Sequence, residues 1–220
     1  MLLDFHSHMD SSLSVLCTDT PETIPGQKAI VRCMGLLPDK WTRDLEARLL
    51  RELAKDEDLH LGEVGLDRRF ESAMPMPSQI EALRREIRFA TELGRCISLH
   101  CVRETGTMLE ILSDLSFRPF GILWHGFTGS VETARQLHKA YVMVSIGPRF
   151  KGDVKDLFQA NPMTVLETDY TGTDQAEHDS ILQSHYLNVS SALGIEIKAL
   201  EERCLSALRE FCPKAVKALH

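Results

Sequence analysis

Short apolar, β-branched runs alternate along the chain with longer stretches whose apolar residues recur every three or four positions. That rhythm predicts parallel strands joined by crossover helices. Strands are expected at residues 2–5, 29–34, 59–62, 96–99, 121–124, 141–145 and 164–167, with 13–17 as a possible eighth. Helices are clearest at 43–55, 79–93 and 131–140, and two more, 175–193 and 196–211, are parted by Gly194. Ser78 with Glu81 makes a capping box for the second helix, and Gly94 stops it. Between the first and third candidate strands there is no room for a proper crossover helix. The prediction is therefore an α/β fold with seven or eight parallel strands, irregular in its N-terminal part.

Length and composition narrow the class. A chain of 220 residues, 43% hydrophobic and 26% charged, is expected to fold as one soluble globular domain over 1–220. Its net charge of -7 repels nucleic acid and membrane surfaces, so a phosphate substrate has to be held locally. The start MLLDFHSHMD places charged and imidazole groups where a signal peptide needs an apolar run, which predicts a cytoplasmic protein with no membrane partner. Six cysteines without CxxC spacing are expected to be reduced core thiols. His60, His138, His178, His185 and His220 have no partner motif and are expected on the surface or on helices.

The chemistry collects where the predicted strands end. His6 and His8 follow the first strand two residues apart, so they point to the same side and one metal could take both. Alone, HxH is a weak signal. Glu63, His100, His125 and Asp169, however, each stand at the end of a further predicted strand, the end that carries chemistry in barrels. Four histidines and two carboxylates exceed the three protein ligands of one catalytic zinc, so two divalent ions fit better. Imidazole with carboxylate suits zinc, manganese, magnesium or iron and does not choose among them.

DFHSHMD (4–10), GEVGLD (62–67), SLHC (98–101), HGFTGS (125–130) and LETD (166–169) resemble, in order, the successive motifs of the TatD family of metal-dependent hydrolases. The resemblance implies a TIM-like (β/α) barrel, a binuclear divalent-metal site and phosphodiester hydrolysis on DNA, often as a 3'-to-5' exonuclease. It assigns His6, His8 and Asp169 to one metal, His100 and His125 to the other, and Glu63 to both, with Asp169 as general base. Expected substrates are DNA ends, short single-stranded DNA or small phosphate esters, and no protein partner is inferred.

Three departures point to an altered substrate pocket with retained metal chemistry. Gly35, Leu36, Leu37 and Pro38 stand where the family carries GIHP, Val102 and Arg103 replace its HxR, and Tyr170 and Thr171 replace Ala-Pro. Arg68, Arg69, Arg103, Arg149 and Lys151 form the best available anion patch, and Arg103 and Arg149 lead it as substrate-binding candidates. Two other functions compete. An amidohydrolase cutting an amide or lactone would favour a carboxylatable lysine at the bridging position, which here is Glu63. A degenerate barrel that binds metal or a partner without turnover is at odds with six retained ligand positions.

Overall fold

A computed structural model of the protein describes residues 1–18, 28–114 and 119–217; His220 lies outside them. Among the described residues eight parallel strands follow one another in chain order: β1 (Asp4–Ser7), β2 (Ser14–Thr18), β3 (Val31–Met34), β4 (Leu59–Asp67), β5 (Ile97–Val102), β6 (Ile122–Trp124), β7 (Val142–Ile146) and β8 (Thr164–Leu166). Just past the strands, the Asp169 N–H donates to the His6 carbonyl at 3.0 Å and the His8 N–H to the Tyr170 carbonyl at 2.9 Å. These bonds bring the last strand to the first, and the sheet curls into a TIM-like barrel.

The strands are apolar on both sides because one side fills the barrel and the other meets the helices. Leu61, Leu66, Leu99, Leu123, Val144 and Leu166 are all fully buried. The helices are α1 (Arg43–Lys55), α2 (Met76–Glu92), α3 (Thr105–Ser113), α4 (Val131–Lys139), α5 (Val154–Ala160), α6 (Gln175–Leu193), α7 (Ile197–Phe211) and α8 (Pro213–Lys217). Leu49 and Leu53 form the buried stripe of α1, which Thr42 caps by accepting the Leu45 N–H. The irregular start is real: β1 and β2 pair in parallel across a link of residues 8–13, with no crossover helix.

Two expectations need correction. Helix α2 begins at Met76, so the Ser78–Glu81 capping box is not used. Pro75 and Pro77 carry the helix start upstream, because proline suits the first turn, where backbone donors lack partners anyway. Gln79 is thereby freed to grip the end of β4: it accepts the Asp67 N–H at 2.8 Å and donates to the Asp67 and Met74 carbonyls.

The second correction lengthens β4, which runs through the whole GEVGLD motif to Asp67 instead of stopping at residue 62. Its glycines are packing positions within the strand. Gly62 has φ of +145°, and a Cβ at Gly65 would strike the His100 carbonyl of β5.

Candidate metal centre

Six side chains converge at the C-terminal end of the barrel: His6 from β1 and His8 just beyond it, Glu63 from β4, His100 from β5, His125 just past β6, and Asp169 past β8. Glu63 stands at the middle, and its two oxygens face different neighbours. Oε1 lies 2.5 Å from His100 Nδ1 and 2.6 Å from His125 Nε2. Oε2 lies 3.7 Å from His6 Nε2 and 3.9 Å from His8 Nε2. Asp169 Oδ1 completes that second side, 3.9 Å from His6 Nε2 and 3.6 Å from His8 Nε2. The His6 and His125 rings stack at 3.7 Å between the two halves.

Three imidazoles turn one nitrogen to this centre and have the other beside a fixed neighbour, the arrangement that orients metal-binding histidines. His100 Nε2 donates to Asp67 Oδ2 at 2.8 Å, His6 Nδ1 lies 3.4 Å from Ser98 Oγ, and His125 Nδ1 lies 3.9 Å from Glu167 Oε2. His6 Nε2 is buried, aimed into the cluster, and has no hydrogen-bond partner among the described residues. A buried polar atom left so is costly unless something else meets it. An open nitrogen, imidazoles that turn a ring nitrogen inward and a central carboxylate with divided oxygens together fit divalent cations.

The electrostatics call for positive charge at the centre. Burial opposes ionisation of Glu63, yet His125 and His100 hold its carboxyl well below the usual range. Burial likewise opposes a charge on His8, but its contact with Asp169 helps to raise it to about 9. Asp169 is pushed up by burial and pulled down more strongly by His8 and the other histidines. It also sits at φ of +53°, an uncommon backbone for a non-glycine residue and one that aims its carboxylate across the barrel mouth.

A second ring of residues, not singled out from the sequence, holds the first in place. Asp4 accepts the Thr168 N–H at 2.9 Å and hydroxyl at 2.5 Å, and His178 Nε2 at 2.8 Å, which pins the turn presenting Asp169. Glu167 accepts from Ser145 Oγ at 2.5 Å and from the Gly126 N–H at 2.9 Å. Strand alternation could have flagged Asp4, two residues before His6 on the same side. His178 had no such signal. It is buried on α6, as is His185, so both stand on a helix as expected, whereas His60 is buried in β4, neither on the surface nor on a helix. His185 donates to the Ile146 carbonyl at 2.8 Å. Their partners lie far away in sequence, which period alone cannot reveal.

The proposed anion patch is only partly assembled. Arg69 is spent on Asp67 in a two-pronged contact, and Arg68 pairs with Glu104 and Glu71. Arg149 reaches the site: its guanidinium lies 3.9 Å from Asp169 Oδ2, 91% exposed, beside a cavity of about 150 Å³ lined also by Phe127, Phe150 and Thr168. Arg103 is exposed past β5 at φ of +58°, with no ion pair among the described residues and no contact that ties it to the cluster.

The family described as "TatD related DNase" matches residues 6–211. Over 107 residues, 49% of this chain, the sequence is 28% identical to the human (Homo sapiens) 3'-5' RNA nuclease TATDN2 and covers 14% of that protein. Over 107 residues it is 32% identical to the uncharacterized metal-dependent hydrolase YabD of Bacillus subtilis (strain 168), covering 39% of it. The matched stretch thus spans well under half of either relative. Among solved structures, the TatD homologue YjjV of Escherichia coli K12 superposes with a TM-score of 0.80 at 17% identity, over 96% of this chain and 97% of that one. A TatD-family hydrolase of Entamoeba histolytica gives 0.68 at 14% identity, over 83% and 75%. At these identities the structural likeness speaks for the fold.

Proposed function

The chain belongs to the family of TatD-related DNases, and on that premise we propose that it is a single-domain metal-dependent hydrolase that cuts phosphodiesters at nucleic-acid ends, in short single strands or in small phosphate esters. The observation that carries the reading is the division of the Glu63 oxygens between His100 with His125 on one side and His6, His8 with Asp169 on the other. One carboxylate shared by two donor sets is what a pair of ions requires.

Divalent cations held there supply Lewis-acid polarisation of a phosphoryl oxygen and lower the pKa of a water molecule. The protein's own residues do the rest. His6, His8, His100 and His125 offer ring nitrogens, and outer contacts to Ser98 and Asp67 keep those of His6 and His100 turned inward. Asp169 is ionised at neutral pH and half-buried at the barrel mouth. It orients the attacking water and accepts its proton. Arg149, beside the same cavity, holds a non-bridging phosphate oxygen. A net charge of -7 works against long duplexes lying across the surface and leaves ends and short strands as the accessible substrates.

The test is a metal count followed by a substrate panel. Protein stripped and reloaded with zinc, manganese, magnesium or iron is expected to retain about two ions per chain. Glu63→Ala is expected to lose both or hold them weakly. Short single-stranded DNA and RNA, a closed circular duplex, a chromogenic phosphodiester, an amide and a lactone are then compared. Hydrolysis of amide or lactone alone, or one tight ion unaffected by Glu63→Ala, overturns the reading.

A further inference from the structure

At the opposite end of the barrel lies a cluster that the metal centre does not use. His60 stands at the start of β4, Cys96 just before β5, and Cys212 where α7 ends. All three are buried, and their nitrogen and sulfur atoms lie within 4.8 Å of one another. They line a cavity of about 80 Å³, together with Phe120 and the Glu57–Lys214 pair, whose opposite charges meet at 3.4 Å. The cavity has room for a small molecule of a few heavy atoms.

The hydrogen bonds decide what such a cluster can do. His60 Nδ1 accepts the backbone N–H of Cys96 at 3.1 Å, so the ring proton of the neutral imidazole is on Nε2. That nitrogen faces Cys212 Sγ at 3.3 Å and donates to it. A nitrogen that carries the proton has no lone pair for a cation, and this argues against a metal site despite the ligand types. The same donor stabilises a thiolate. Cys96, whose Sγ lies 3.0 Å from the Phe211 carbonyl, keeps its proton. The neighbouring Cys96 thiol and the His60 ring together pull the Cys212 thiol down to about 4, against the effect of burial, and Cys96 is pushed up.

We propose that Cys212 and Cys96 form an oxidisable thiol pair that a small hydroperoxide, entering the adjacent cavity, converts to a disulfide. The Cys212 thiolate attacks one peroxide oxygen, the O–O bond breaks, and the departing hydroxide takes a proton and leaves as water. Cys212 is then a sulfenic acid. The Cys96 sulfur attacks it, the S–S bond forms, and the sulfenic oxygen leaves as a second water with the thiol proton. Two thiols and one hydrogen peroxide give one disulfide and two waters. The link joins the start of β5 to the end of α7.

The zinc-loaded 220-residue chain, fully reduced, is treated with equimolar hydrogen peroxide, alkylated and mapped by non-reducing peptide mass spectrometry. The expected result is a Cys96–Cys212 cross-link and loss of two of the six free thiols, both reversed by dithiothreitol. In Cys96→Ser, dimedone is expected to label Cys212 as a stalled sulfenic acid. In His60→Gln, alkylation of Cys212 is expected to slow roughly tenfold, with the circular dichroism spectrum and the other thiols unchanged. The wild-type map stands alone should either variant fail to fold. Oxidation first at Cys101, the only cysteine that is more than slightly exposed, overturns the proposal. So does a zinc ion that persists in Glu63→Ala and shields Cys96 and Cys212 from alkylation.

Discussion

Replacing Asp67 by asparagine tests whether the outer shell sets the metal affinity. The Asp67 carboxylate is fully buried. Its Oδ2 accepts from His100 Nε2 at 2.8 Å and from Arg69, and its Oδ1 accepts the Arg69 N–H at 2.9 Å. An amide keeps one acceptor and turns the other into a donor. Either the amide nitrogen meets His100 Nε2–H, which drives the ring proton to Nδ1 and removes the lone pair aimed at Glu63, or it meets the Arg69 N–H and leaves two donors face to face. The second arrangement spares His100 but still removes the negative charge behind it. Losing such a partner typically weakens metal binding 10- to 100-fold. Because one arrangement keeps the His100 contact, the lower end is expected, about tenfold or ~1.4 kcal/mol. Competition with a chromophoric chelator measures the affinity, and nitrogen-detected NMR of the His100 ring reports its tautomer. Arg69→Ala, which leaves both carboxylate oxygens in place, serves as the control and is expected to fall by much less. A folded Asp67→Asn protein with native metal affinity and an Nε2–H tautomer would refute the reasoning.

Three further outcomes follow from the geometry. Asp169→Asn is expected to lower kcat by about 100-fold or more with metal content and Tm retained, and near-normal kcat in the metallated variant contradicts its role as base. Arg149→Ala is expected to raise KM for a phosphodiester by roughly threefold, since so exposed a cation is screened by solvent, with kcat and metal content unchanged; Arg103→Ala, assayed alongside, separates the two candidates, and an unchanged KM in both removes them. Glu86 on α2 is buried with Oε1 unpartnered among the described residues, and burial, reinforced by Glu46, raises its pKa well above 4.5. A carboxyl with a raised folded pKa favours the fold at low pH and loses that contribution as pH climbs from 4.5 through the folded value. Glu86→Gln is therefore expected to stabilise the protein by about 1 kcal/mol at pH 8 and to do little at pH 4.5, and a pH-independent difference in Tm contradicts this.

The sequence carried the strands and the six convergent side chains plainly because both obey local rules. Strand alternation aligns His6 with His8, and an apolar run ending in Glu63, His100 or His125 marks a barrel strand wherever it occurs. What escaped depends on distant partners or on geometry that mimics something else. His178 lies 174 positions from the Asp4 it holds. The glycines of GEVGLD looked like the end of a strand, yet they let β4 press against β5 and run on to Asp67. Helix α5, seven residues, offers too few turns for a clear period, and in α3 the apolar residues Met108, Leu109, Ile111 and Leu112 crowd together without a polar face to mark one. Arg68 and Arg69 looked available, but neighbouring carboxylates at short range had already engaged them.

The seam of the barrel bears on how the chain folds. The first strand meets the last through Asp169 to His6 and His8 to Tyr170, and these residues include donors from both edges of the seam. Closing that ring joins points some 160 residues apart, a contact of very high order that forms slowly and opens readily. A cation gripped by His6, His8 and Asp169 would span the gap like a rivet through two ends of a hoop. Amide protons along β1 and β8 should then exchange far more slowly in loaded protein than in stripped protein, while those of β5 and β6, on the far side of the ring, change little.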